Sequence, residues 1–140
     1  MIAAKASLRV AFFSVLMIVL ATTTNAIMDK LAFHYHQSIF AQCPSLQQWL
    51  DPGVSWKNKW NHGDPAQGEA FFLSSTALVA TTDAWHLCKA LTILFILLAI
   101  MAPFTLLLDL RWTVWVLVLF GLKLLYGIVF ECFFSHVLAR

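Results

Sequence analysis

The sequence contains few charged residues and few helix breakers. Asp, Glu, Lys and Arg make up 11% of its 140 residues, whereas they make up roughly a quarter of an ordinary soluble protein. Proline occurs four times and glycine five times, so long stretches of the chain lack the residues that usually end a helix. With 61% hydrophobic residues, the chain is too apolar for a soluble fold, and its length predicts a single membrane domain, residues 1–140.

Several functional classes lack their signatures. The net charge is only +2 and the nine Lys and Arg are scattered, which argues against a nucleic-acid partner. Neither an H-E-x-x-H motif nor a nucleophile elbow is present. Cys43, Cys88 and Cys132 contain no C-x-x-C spacing, so we expect apolar thiols, with one disulfide as the alternative in an oxidising compartment.

Three apolar runs are long enough to cross a bilayer, which takes about 20 residues. They cover residues 10–28, 90–108 and 112–134. These runs predict an all-α membrane protein with transmembrane helices at about 9–29, 86–108 and 112–136. Between the first two helices, an extracytoplasmic excursion at about 30–84 is expected to form a partly helical, interfacial cap.

The positive-inside rule sets the predicted orientation. Lys5 and Arg9 place the N-terminus in the cytoplasm, Arg111 places the second connection there too, and the C-terminus then lies outside. Cleavage of a signal peptide after Ala26 is an alternative, and it would leave two spans. Four lysines in the excursion weaken the charge bias: Lys30, Lys57, Lys59 and Lys89.

Turn residues and tryptophans mark the excursion. Trp56 and Trp60 stand beside Lys57 and Lys59, a combination typical of a membrane–water boundary, although a small folded cap with scattered aromatics explains it as well. From residue 69 the chain becomes apolar again. We expect a helix that begins near Gly68 and enters the bilayer around residue 86.

Ionisable residues gather at the predicted non-cytoplasmic ends of all three spans. Asp83 and His86 are three residues apart and would share a helix face. Carboxylates and imidazoles are ligands of zinc, manganese and iron, and an open coordination position would lower the pKa of a bound water to about 7. The predicted metal ligands are Asp83, His86, Glu131, Asp29, His36 and His34, with His136 as a further candidate. Alternatively, these residues form no joint site and occur at the ends of the spans only because the membrane–water boundary lies there.

Lys123 lies near the middle of the third run and requires a partner there. Pro103 has no N–H, so it leaves the carbonyl of Ala99 without its helical donor. We expect the Lys123 ammonium to meet that carbonyl or a trapped water. A proton or ion relay along Lys123 and Glu131 is the functional alternative.

Four segments carry a resemblance to other proteins. Residues 29–34 (D-K-L-A-F-H), 38–40 (S-I-F), 55–60 (S-W-K-N-K-W) and 82–87 (T-D-A-W-H-L) resemble stretches of small uncharacterised bacterial integral membrane proteins. The resemblance implies a multi-pass protein of a bacterial inner membrane and implies no activity.

Two functional hypotheses follow. The first is metal-dependent chemistry on a lipid or another membrane-accessible molecule. The second is a non-catalytic accessory or structural subunit, either in a homo-oligomer or in a larger membrane complex. Ion or proton translocation ranks third, because three helices enclose little space without oligomerising. The first hypothesis makes the protein an enzyme, and the second does not.

Overall fold

The computed structural model describes residues 2–133, and within that range the side chains of residues 6–130, 132 and 133. This part of the chain is helical and forms no β-strand. Three of its stretches are long and apolar enough to cross a membrane: Ala6–Gln37, Ala84–Leu106 and Trp112–Phe130. The predicted class, an all-α multi-pass membrane protein with three transmembrane helices, is confirmed.

The first long helix, α1 (Ile2–His34), continues past the predicted end near residue 29. At about 1.5 Å per residue it is about 50 Å long. The amide of Asn25 donates to the Asp29 carboxylate one turn further on, over 3.3 Å. Leu31 is fully buried, so the helix extends beyond the apolar run because its last turns pack inside the protein.

The cap comprises residues 35–83 and consists of short helical pieces joined by turns. Its two α-helices are α2 (Gln47–Leu50) and α3 (Pro52–Ser55). Asp51 begins α3 by accepting the Gly53 N–H over 2.9 Å. The predicted partly helical cap is therefore confirmed. Its 3-10 turns are Tyr35–Gln37, Ile39–Gln42, Pro44–Leu46, Trp56–Lys59, Asn61–Gly63, Pro65–Gln67 and Val79–Thr81.

The prediction of a helix from Gly68 is wrong. Residues 69–83 form turns and one short 3-10 piece. The Glu69 carboxylate accepts hydrogen bonds from the Leu73 N–H, the Ser75 N–H and the Ser75 hydroxyl, and the Ser74 hydroxyl donates to the Lys59 carbonyl over 2.8 Å. Such side-chain bonds compete with helical hydrogen bonds, so the helix begins only after Asp83.

The two remaining long helices are α4 (Ala84–Met101) and α5 (Trp112–Cys132). A 3-10 segment, Ala102–Leu106, continues α4. It contains Pro103, which has no N–H to donate to the helix. The α-helical hydrogen bonds therefore end at Met101.

The described residues form two compact units, and the first combines residues 2–19 with residues 93–133. In this unit the Ser14 hydroxyl donates to the Ala99 carbonyl over 3.2 Å. The Lys123 ammonium instead lies over the Tyr126 ring, 5.7 Å from its centroid. The expected hydrogen bond from Lys123 to the Ala99 carbonyl is therefore not formed. The carbonyl accepts from Ser14 instead, and Lys123 has a cation–π contact with Tyr126.

The second unit, Leu20–Thr92, contains the cap. Its buried cluster consists of Leu31, Tyr35, Leu50 and Ala84, so the end of α1 and the start of α4 pack on the cap. Removing a side chain such as Leu31 from water contributes about 2 to 3 kcal/mol. Within the same unit, the hydroxyls of Thr24 and Thr92 join the two helices over 2.7 Å.

Candidate functional site

Asp83 stands immediately before α4 and is only 2% exposed. Its Oδ1 accepts the backbone N–H of His86 over 2.9 Å, which is the usual role of an aspartate at a helix N-terminus. Its Oδ2 lies 2.7 Å from Nδ1 of the same histidine. One carboxylate therefore begins the helix and also binds the imidazole three residues later.

The charge on Asp83 determines which imidazole nitrogen holds the proton. Burial raises the pKa of this carboxyl, but the hydrogen bonds from the His86 side chain and backbone outweigh it, so the pKa lies below its ordinary value. An ionised carboxylate has no proton to donate. Nδ1 of His86 must therefore be the donor, and in the neutral ring Nε2 is left with a free lone pair.

An open pocket of about 290 Å³ adjoins the Asp83–His86 pair. The Trp85 ring lies edge-on to the His86 ring, with the centroids 4.9 Å apart. Most of the lining is aromatic or aliphatic, and the histidine and the carboxylate are its titratable groups. The lining residues are Ala32, Pro52, Ser55, Trp56, Asp83, Trp85 and His86.

Each tryptophan of the pocket lies under a lysine ammonium. Nζ of Lys57 is 5.8 Å from the centroid of Trp56, and Nζ of Lys89 is 5.1 Å from that of Trp85. Both distances are within the range of cation–π attraction. Two of the aromatic side chains that line the pocket therefore each have a cation–π contact with a lysine.

Asn58 holds the segment that precedes Asp83. Its amide donates to the carbonyls of Thr82 and Gln48, both over 2.8 Å, and its Oδ1 accepts from Nε2 of Gln48 over 2.6 Å. These bonds join the Trp56–Lys59 turn, α2 and the peptide before Asp83. Asn58 is therefore a positioning residue for the site.

Of the predicted ligands, the structure brings Asp83 and His86 together. Asp29, His34 and His36 are all exposed, with Asp29 bonded to Asn25 and the His36 ring edge-on to Tyr35. The backbone of residue 131 belongs to α5, whereas its side chain and the whole of residue 136 lie outside the described part of the chain.

Among the described residues, no group of three or more His, Cys, Asp or Glu side chains could hold an ion. Nδ1 and Oδ2 are bonded to each other, which leaves Nε2 of His86 as the nitrogen available to a ligand. All three cysteines are free thiols, with Cys88 buried and Cys43 and Cys132 exposed.

Several residues of the site were not predicted from the sequence. Ser55 and Trp56 reach the pocket because the cap folds back on the start of α4, and the position of Asn58 depends on the same folding. The Thr82-Asp83 dipeptide before an apolar run is a local signal for a helix start. This signal would have placed Asp83 immediately before α4 instead of inside a helix.

Comparisons with known proteins give no relative from which a function could be transferred. No protein-family model, curated protein or solved structure matches this chain.

Proposed function

We propose that His86 transfers protons in a pocket that admits a lipid or another membrane-accessible amphiphile. The observation that supports this best is the 2.7 Å bond between Oδ2 of Asp83 and Nδ1 of His86. A carboxylate on Nδ1 orients the ring, fixes its tautomer and stabilises the imidazolium that forms when Nε2 accepts a proton. His86 would be the general base and Asp83 its positioning residue.

The pocket supports an amphipathic substrate. Its aromatic lining suits hydrocarbon or a glycerol backbone, and the ammonium groups of Lys57 and Lys89 over Trp56 and Trp85 suit an anionic headgroup. In the topology proposed from Lys5 and Arg9, the pocket faces the non-cytoplasmic side of a bacterial inner membrane. A substrate could then enter from the outer leaflet.

Two nucleophiles are compatible with this geometry. His86 could take the proton of a bound water, or that of the Ser55 hydroxyl, because Ser55 lines the same pocket and is 3% exposed. In both cases Nε2 takes the proton of the nucleophile while its oxygen attacks an ester or phosphoester, and the imidazolium returns that proton to the leaving oxygen as its bond to carbon or phosphorus breaks. If Ser55 is the nucleophile, water then cleaves the acyl- or phosphoryl-serine by the same route. Ser55→Ala separates them: loss of turnover indicates serine attack, and retained turnover indicates water.

A metal-assisted version of the same reaction is also compatible with the Asp83–His86 pair. In it Nε2 of His86 would be a ligand of zinc, manganese or iron, and Asp83 would orient the ring from behind. The other ligands would have to come from Asp29, His34, His36 or Glu131. Elemental analysis of the purified protein tests this version: a stoichiometric ion that His86→Ala removes would support it.

The main test follows lipid turnover directly. Purified protein is incubated with vesicles that contain phosphatidylglycerol and phosphatidylcholine, and the products are measured by mass spectrometry. General acid–base catalysis contributes about 10²- to 10⁴-fold, so His86→Ala should lower turnover by at least about 100-fold. His62→Asn, which removes an exposed histidine of the cap and keeps a residue that tolerates a positive φ, should have little effect.

The opposite pattern would refute the catalytic proposal. If the wild type turns over neither lipid nor lipid-linked substrates, or if His86→Ala and His62→Asn behave alike, His86 has no catalytic role. A fold measurement on each variant, such as the unfolding temperature in detergent, identifies any loss of activity that is caused by unfolding.

The second candidate function is that of a non-catalytic subunit in a larger membrane complex, and the exposed surface of α5 supports it. None of the residues of the Trp112–Phe130 span is buried inside the protein. Gly121 and Gly127 have no atom within 4 Å of the position that a Cβ would occupy, and small residues allow close helix packing in membranes. If α5 binds a partner, Gly127→Leu should reduce co-purification of that partner in mild detergent, whereas His86→Ala should not.

A further inference from the structure

A second pocket lies among the three long helices, in the unit that lacks the Asp83–His86 pair. Its volume is about 360 Å³, within the range of about 300 to 1,000 Å³ that small-ligand sites usually have. Its lining residues are Arg9, Val10 and Phe13 of α1, Leu98 and Met101 of α4, Ala102 and Thr105 of the 3-10 segment that follows α4, and Trp115 of α5. We call this pocket the Arg9 groove.

The polar groups of the Arg9 groove are few. The Thr105 hydroxyl donates to the Ala102 carbonyl over 2.7 Å, so its proton is used within its own helix segment. Arg9 is exposed, and among the described side chains it forms no ion pair. An apolar groove with one arginine is complementary to a molecule that has a hydrocarbon chain and an anionic group.

We infer that the Arg9 groove binds an anionic phospholipid, with one acyl chain between the helices and the phosphate on Arg9. A planar guanidinium forms two parallel hydrogen bonds with a phosphate and is weakly hydrated. Basic pockets between transmembrane helices bind acidic headgroups on the cytoplasmic side, and the positive-inside rule puts Arg9 there. This inference does not depend on the function proposed for His86.

Lipid selectivity tests the headgroup contact. The full-length protein is released from nanodiscs of equimolar phosphatidylglycerol and phosphatidylcholine, and retained lipids are counted by native mass spectrometry. One basic residue near the membrane surface should change binding of an acidic lipid about fivefold. Arg9→Gln should therefore lower the preference for phosphatidylglycerol by about that factor.

Arg111→Gln is the matched control. Arg111 is also exposed and precedes α5, but it does not line the groove. The inference predicts that this variant retains the preference for phosphatidylglycerol. Equal losses in both variants would mean that general surface charge attracts the lipid, and no loss in Arg9→Gln would exclude the headgroup contact. Either result overturns the inference.

Filling the groove tests the acyl-chain contact. Ala102 is 7% exposed and Ile100 is 55% exposed. Ala102→Phe should displace the retained lipid, while Ile100→Phe, which adds a ring outside the groove, should not. A tryptophan in the groove gives a second measurement, because brominated phosphatidylglycerol should quench wild-type fluorescence more than that of Trp115→Phe. Lipid retention or quenching that is unchanged in these variants would refute the inference.

Discussion

At the scale of single residues, Asp83 combines a structural and a chemical role. Its Oδ1 accepts the His86 N–H at the first turn of α4, and its Oδ2 binds the ring of the same residue. A backbone bond at a helix start places the aspartate rigidly, so the imidazole on the same turn is oriented as a consequence. The pair therefore forms as soon as this helix end forms.

This double role predicts an acid-sensitive stability. The pKa of Asp83 lies below its ordinary value despite burial, so the ionised form stabilises the fold above the unfolded-state pKa of about 3.9. The stabilisation is lost as pH falls through the still lower pKa of the folded state. Asp83→Asn should cost about 1 to 3 kcal/mol at neutral pH and should flatten the acid limb of the stability curve.

Thermal unfolding in detergent from neutral to acid pH measures this effect. Asp109→Asn is the control, because it removes a carboxylate from an exposed residue between α4 and α5. If both variants change the pH dependence equally, the buried hydrogen bonds of Asp83 are not its source.

Glu69 predicts a second, local pH effect. The Ser75 hydroxyl and N–H and the Leu73 N–H hold the pKa of this exposed carboxyl below its ordinary value. The turn at residues 69–75 is thus stabilised above the unfolded-state pKa of Glu69 and loosened as pH falls through its folded-state pKa. In hydrogen exchange, protection of the Ser75 amide should fall at acid pH in the wild type and should already be reduced in Glu69→Gln at neutral pH.

At the scale of elements, the long spans and the presence of a partly helical cap were predictable, whereas the path of the chain within the cap was not. Length and hydropathy identify three spans because the bilayer core requires about 20 apolar residues. The start of α4 was predicted too early, since the Glu69 carboxylate accepts the N–H groups of Leu73 and Ser75, which a helix would have used. Asp83 and His86 were paired correctly by their spacing, whereas Ser55 and Trp56 reach the pocket through contacts distant in sequence.

The connection between the cap and α4 depends on Asn58. Its amide bonds the Thr82 and Gln48 carbonyls, and each such bond contributes about 0.5 to 1.5 kcal/mol. Asn58→Ala should therefore lower stability by about 1 to 3 kcal/mol and increase hydrogen exchange at the first turn of α4. Asn61→Ala, at an exposed position of the same cap, should change neither quantity. A similar effect of both substitutions would show that the hydrogen bonds of Asn58 do not specifically stabilise the connection between the cap and α4.

At the scale of the whole molecule, a small core suffices because the bilayer is the solvent for most of the chain. Large exposed side chains such as Phe12, Leu117 and Phe120 would be unfavourable in water but are favourable in hydrocarbon. A buried cluster that includes Leu31 and Leu50 joins the cap to the long helices. The Asp83–His86 pair lies in the same unit as this cluster.

The proposed orientation gives a prediction for the whole molecule. Cys43 is exposed in the cap, which the positive-inside rule places outside the cytoplasm. With Cys88 and Cys132 replaced by serine, a membrane-impermeant maleimide should label Cys43 in intact cells. A second variant that has Asp109→Cys as its only cysteine should be labelled only after the membrane is permeabilised, because residue 109 precedes Arg111 in the cytoplasmic connection. If the two patterns are exchanged, the cap and the Asp83–His86 pair face the cytoplasm, and the substrate would have to enter from the inner leaflet.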